Sequence, residues 1–144
     1  MISLEQYFAA KPHTKAEAAL AFDLLGRVNA LMDEAEQAGA FTRNTCPNTG
    51  TEISGSKGGT GDGGFRLPTS TTGSLHSSHK EARAVDVYDP SDRLDEWLDT
   101  FEHGDGDNTR LEQHGLYREA PASTPTWTHL TTRAPHSGRR TFAP

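Results

Sequence analysis

Histidine occurs seven times in this 144-residue chain, so the useful question is which imidazoles stand on structured segments at metal-ligand spacing. His79 lies just before a strand-like run that carries Asp86, and His129 lies on a later strand-like run. A loop-to-strand geometry lets His79 and Asp86 converge, and His129 can then supply a third donor. Two imidazoles and one carboxylate leave the fourth position of a tetrahedral zinc ion open to water, the arrangement of a catalytic rather than a structural site. The lone cysteine, Cys46, excludes an internal disulfide framework and a multi-cysteine zinc ribbon, so His and carboxylate must serve as ligands. Taken alone, a His and an Asp seven positions apart is a weak signal.

The elements that must position these residues are readable from periodicity. Ala82 to Tyr88 alternates, with Val85 and Val87 on one face and Ala84, Asp86 and Tyr88 on the other. Leu116 to Glu119 and Trp127 to Thr132 read as two further strands, the second with Trp127, His129 and Thr131 sharing a face. Thr14 followed by Glu17 is a capping box. Leu20, Leu24, Val28, Leu31 and Ala35 then recur at helical spacing until Gly39, which predicts a long amphipathic helix from about Lys15 to Ala38. A second helix starts at Pro90 and Ser91, carries Leu94, Trp97, Leu98 and Phe101 on its apolar stripe, and ends near the Gly104 to Asn108 turn. A short helical turn over Arg110 to His114 ends at Gly115. Thr42 to Gly64 is rich in Thr, Asn, Ser and Gly, with hardly an apolar residue beyond Ile53, and reads as loop with at most one short strand. The expected organisation is one domain over 1–144, with an N-terminal helical segment over 1–40 and a loop region over 41–64.

Around the candidate ligands, Ser77-Ser78-His79 and Ala84-Val85-Asp86 resemble the Ser-Xaa-His, Ala-Xaa-Asp signature shared by D-Ala-D-Ala carboxypeptidases, phage endolysin peptidases and the Hedgehog signalling domain. Gly64-Phe65-Arg66 upstream and Trp127-Thr128-His129 downstream look like that family's flanking motifs, in the same order. The resemblance runs from about Gly63 onward and takes in Ser137-Gly138-Arg139-Arg140, which is similar to the end of small phage-encoded members. It implies an α+β fold of the Hedgehog/DD-peptidase type, a small antiparallel sheet with flanking helices and long loops. It further implies zinc at His79, Asp86 and His129, with Arg66 near the substrate carbonyl to stabilise the developing oxyanion. Many members place an acidic residue three positions before the last His ligand, where this chain has Thr126, which cannot accept a proton usefully. Glu119, at the end of the preceding strand, resembles the Hedgehog arrangement and becomes the expected general base.

Other motifs fail on their own terms. Gly59, Gly61 and Gly64 match Gly-Xaa-Gly-Xaa-Xaa-Gly, but Phe65-Arg66-Leu67-Pro68 follows where a helix would have to receive a pyrophosphate. Asp105-Gly106-Asp107 begins like a calcium loop, yet Arg110 and Leu116 occupy the positions that need Gly and Glu. A formal net charge of -6 argues against nucleic acid as a partner. No run approaches the roughly 20 apolar residues of a membrane span, and no basic n-region precedes an apolar stretch. The expectation is therefore synthesis in a host cytoplasm, with the virion or the cell wall as destinations. The expected activity is zinc-dependent hydrolysis of peptide bonds in peptidoglycan stem peptides. The alternative is a non-catalytic, zinc-stabilised module associated with phage structural proteins.

Overall fold

In a computed structural model of the chain, residues 1–57, 62–74 and 76–144 are described. Four helices and a small mixed sheet make an α+β architecture. In chain order the elements are α1 (Leu4–Phe8), α2 (Lys15–Gln37), β1 (Ala84–Tyr88), α3 (Arg93–Asp99), β2 (Glu102–His103), β3 (Asp107–Asn108), α4 (Thr109–His114), β4 (Tyr117–Glu119), β5 (Trp127–Thr131) and β6 (Thr141–Phe142). Short 3-10 turns cover Ser78–Glu81 and Pro121–Ser123.

The predicted capping box opens α2: the Thr14 hydroxyl accepts from the Glu17 amide and the Glu17 carboxylate from the Thr14 amide. Leu24, Val28, Leu31 and Ala35 are fully buried, with Ala21, Leu25 and Met32 beside them. The same chemistry builds α1, which periodicity alone did not predict. Ser3 and Gln6 form a second reciprocal capping box, and Tyr7 and Phe8 pack with Phe65 in the core. The Tyr7 hydroxyl donates to the Ala84 carbonyl at 2.9 Å, tying α1 to β1.

The sheet order is β1-β5-β4-β6. β1 and β5 pair antiparallel, as do β5 and β4, but β6 runs parallel to β4. The expected all-antiparallel sheet is thus corrected to a mixed one. The segment leaving β5 loops around before Thr141 and Phe142 join the free edge of β4 in the same direction, an arrangement that two edge residues cannot signal by alternation. Along one face Val85, Val87 and Leu130 join Leu94 and Leu98 of α3 in the core. Arg118 lies on that face too, fully buried, with its guanidinium on Asp95, Asp99 and Glu102.

Helix α3 begins two to three residues later than expected. Asp92 is left-handed (φ 54°) and makes no cap bond. The cap comes instead from Asp89 at the end of β1, whose carboxylate accepts from the Arg93 and Leu94 amides at 3.0 and 2.7 Å. The expected turn at Gly104 to Asn108 is the tip and second strand of the β2-β3 hairpin, and Asn108 then caps α4. The loop over 41–64 is not loose where it is described. Tyr88 donates to Glu52, Ser54 to Asp86 and Asp86 to Gly63, so that this segment satisfies the outer edge of β1. Gly59 and Gly61 of the rejected glycine pattern lie outside the described residues. No described helix is long and apolar enough to cross a membrane.

Candidate metal centre

His79 sits in the 3-10 turn whose amide is capped by the Ser77 hydroxyl, and the turn closes at Ala82 in the left-handed region. The ring is buried, and its Nδ1 lies 2.9 Å from the Gly64 carbonyl oxygen. A carbonyl only accepts, so Nδ1 is the donor in this contact and Nε2 is the ring atom left to face the cleft. Nε2 faces Asp86, 3.3 Å from Oδ1.

Asp86 and His129 are cross-strand partners in the β1-β5 register, which places their side chains next to each other on the face opposite the core. His129 Nδ1 lies 2.8 Å from the same Asp86 Oδ1. One donor atom from each of the three residues falls within 4.8 Å of the others. Among the described residues they are the group of three that could hold a metal ion. Continuing the β4-β5 register from Arg118↔Leu130 places Glu119 beside His129, and Glu119 pairs in turn with Phe142 of β6. Asp86, His129, Glu119 and Phe142 therefore form one row across the sheet.

The electrostatics follow from this crowding. Burial alone would raise the Asp86 carboxyl, but the His79 and His129 imidazoles outweigh it and hold the group well below the usual carboxylate range. Burial would lower His129, yet its hydrogen bond to Asp86 and the charges of Asp86 and Glu119 raise it. Burial raises Glu119; the His129 imidazole opposes this and the Asp86 charge adds to it. Two ring nitrogens facing one carboxylate oxygen repel unless a proton or a cation lies among them. A tetrahedral ion with bonds of ~2.0–2.1 Å sets its ligand atoms ~3.3 Å apart; Asp86 Oδ1 stands 3.3 Å from His79 Nε2 and 2.8 Å from His129 Nδ1, and one donor atom from each residue lies within 4.8 Å of the others. The donor set and its spacing fit a divalent metal ion, and the Gly64 bond to His79 is the outer support such a ligand needs.

These donors lie at an open cleft of about 570 Å³. Arg66, Glu119, Trp127, Arg133, His136 and Phe142 contribute to its walls. The Arg66 Nε donates to the Asp62 carbonyl at 2.8 Å and its Nη2 lies 4.0 Å from Asp86 Oδ2, so the guanidinium reaches the cleft beside the donors. All five residues singled out in the sequence thus line this cleft. Thr126 does not. It is exposed and left-handed (φ 73°), its carbonyl accepting from the Asp89 amide. His76 is exposed at the rim of the same cleft.

Sequence reasoning did not single out Arg133 and Phe142. Arg133 pairs with Glu81 and donates to the His76 carbonyl, bracing the loop before His79. It stands two residues beyond Thr131, on the same alternation as His129, which was a usable signal; Phe142 had none, because β6 was not predicted. Comparisons with protein-family models, with curated proteins and with solved structures found no match.

Proposed function

We propose that the protein is a zinc peptidase of the Hedgehog/DD-peptidase type that hydrolyses peptide bonds in peptidoglycan stem peptides, at a D-Ala-D-Ala terminus or an internal cross-link. The observation that carries this reading is the convergence of His79, Asp86 and His129 at an open cleft, with a raised carboxyl, Glu119, next to His129 in the sheet. Zinc held by the three donors would supply Lewis acidity toward the scissile carbonyl and toward water. Glu119 takes a proton from the attacking water and returns one to the leaving amine, so that the amide C–N bond breaks with no net gain or loss of protons. Arg66 sits where a fixed positive charge would oppose the negative charge growing on the carbonyl oxygen. The bond to the Gly64 carbonyl keeps the His79 ring from rotating, and the contact between Asp86 Oδ1 and His129 Nδ1 orients those two side chains.

One observation favours the non-catalytic alternative: the residue three before His129 is Thr126, turned out of the cleft and engaged with Asp89. Incubating zinc-loaded protein with purified sacculi and assaying new amino termini separates the two. New amino termini, lost on chelation, are the expected result. Sacculi left intact by a zinc-replete, folded protein would favour the module.

A further inference from the structure

Among the described residues the large apolar side chains left exposed are Phe22 and Met1, 72% and 74% accessible. Phe22 lies in the first half of α2, on a face that helical spacing continues through Lys15, Gly26 and Asp33, all exposed, beside Asn29, which the Ile2 backbone covers. Ala18 and Ala30 flank it. A Cβ at Gly26 would meet nothing within 4 Å, so the helix surface is notched one turn after the Phe22 knob. The notch opens into an apolar hollow of about 430 Å³ bordered by Met1, Leu4, Leu25 and Ala30.

We propose that this face of α2 is a self-association surface, occupied by α2 of a second copy of the chain crossing antiparallel about a two-fold axis near Leu24. The two-fold pairs residue i with residue 48 − i. It therefore sets each Phe22 over the partner copy's Gly26, sets Ala18 against Ala30, and sets each Lys15 against Asp33. One register thus matches knob to notch, small residue to small residue, and cation to anion, each twice, which is the self-complementarity an isologous interface requires. With each Phe22 seated over a Gly26, the two backbones approach to roughly 8 to 10 Å. Asp33 is the shortest carboxylate contact of Arg43 at 2.5 Å, but the Asp33 side chain is 51% exposed, which leaves the outer edge of the carboxylate open to a second cation. A single helix pair is a small interface, and association in the micromolar range is expected.

Sedimentation velocity on the full chain over a concentration series tests this. The parent protein should pass from monomer to dimer, and Phe22→Glu should stay monomeric at every concentration. Gly26→Leu should also stay monomeric while melting higher than the parent, because it fills the notch and improves helix propensity. Lys15→Glu should weaken the dimer at least tenfold, and Lys15→Glu with Asp33→Lys should recover it. A parent that remains monomeric at several hundred micromolar overturns the proposal. So does a dimer that survives Phe22→Glu, or a charge swap that restores nothing.

Discussion

At the scale of single residues, Arg66 and Glu119 stand at the two ends of the donor group, Arg66 against Asp86 and Glu119 against His129. Under the proposed function their roles separate on substitution. Glu119→Gln leaves the three donors in place, so bound zinc and the melting curve should be retained while stem-peptide hydrolysis slows by a factor on the order of a hundred or more. His129→Ala should lose both zinc, read by elemental analysis, and hydrolysis. Full activity in a zinc-replete Glu119→Gln protein would assign the base elsewhere. Arg66→Ala should lower kcat far more than zinc content; an equal loss of the two would make Arg66 a support of the fold. Spacing and alternation pointed only weakly to His79, Asp86 and His129, and the motif resemblance strengthened the signal; the structure brings the three together. Arg66 and Glu119 were picked out through motif resemblance alone, and the structure places both at the cleft. The Gly64 bond that orients His79 was hidden, since a backbone carbonyl acting through space leaves no trace in residue types.

At the scale of elements, the site depends on how tightly the described loop presses on β1. Gly63 accepts from the Asp86 amide, and a Cβ there would collide with the Ser54 carbonyl and come within 2.8 Å of Asp86 Cβ. Gly63→Ala should displace Asp86 and weaken metal affinity on the order of tenfold, as losses of outer support do; titration with a competing chelator reads it. On the other face, Arg118 divides its charge among three carboxylates, and burial raises the Asp95 carboxyl to about 6 against the pull of Arg118. Its folded value exceeds its unfolded value of 3.8, so the stability it contributes is fully present below about 3.8 and lost as pH rises through about 6. The loss is on the order of 2 to 3 kcal/mol. Denaturation midpoints for Asp95→Asn should lack this fall between pH 4 and 6, while Asn keeps an acceptor for Arg118. An unchanged slope would trace the pH dependence to other groups. The long helix and three main strands were legible from period and caps. Helix α1 carried the same capping-box signal in Ser3 and Gln6 but is only five residues long, too short for periodicity to register. Strand β6 and the true start of α3 depend on tertiary partners, the β4 edge and the Asp89 carboxylate, which local sequence does not display.

At the scale of the whole molecule, one contiguous core joins α1, α2, α3 and the inner face of the sheet, while Asp86 and His129, two of the three candidate donors, lie on the outer face. Metal removal should therefore loosen the β1-β5-β4 face without dissolving the core. Chelation is expected to lower the Tm by several degrees and to leave a folded protein by circular dichroism. A Tm indifferent to both chelator and added zinc would remove the metal assignment. The cross-strand register of Asp86 with His129 also has a kinetic consequence. His79 and Asp86 are seven residues apart and can meet early, but His129 is 43 residues beyond Asp86 and arrives only when β5 docks. A closure that spans so much chain is costly in loop entropy and comes late on the way to the native state. The complete donor set then exists after the rate-limiting barrier and not at it. Zinc should leave the refolding limb of a chevron plot nearly unmoved and depress the unfolding limb, acting as a latch on the finished sheet and not as a seed for it.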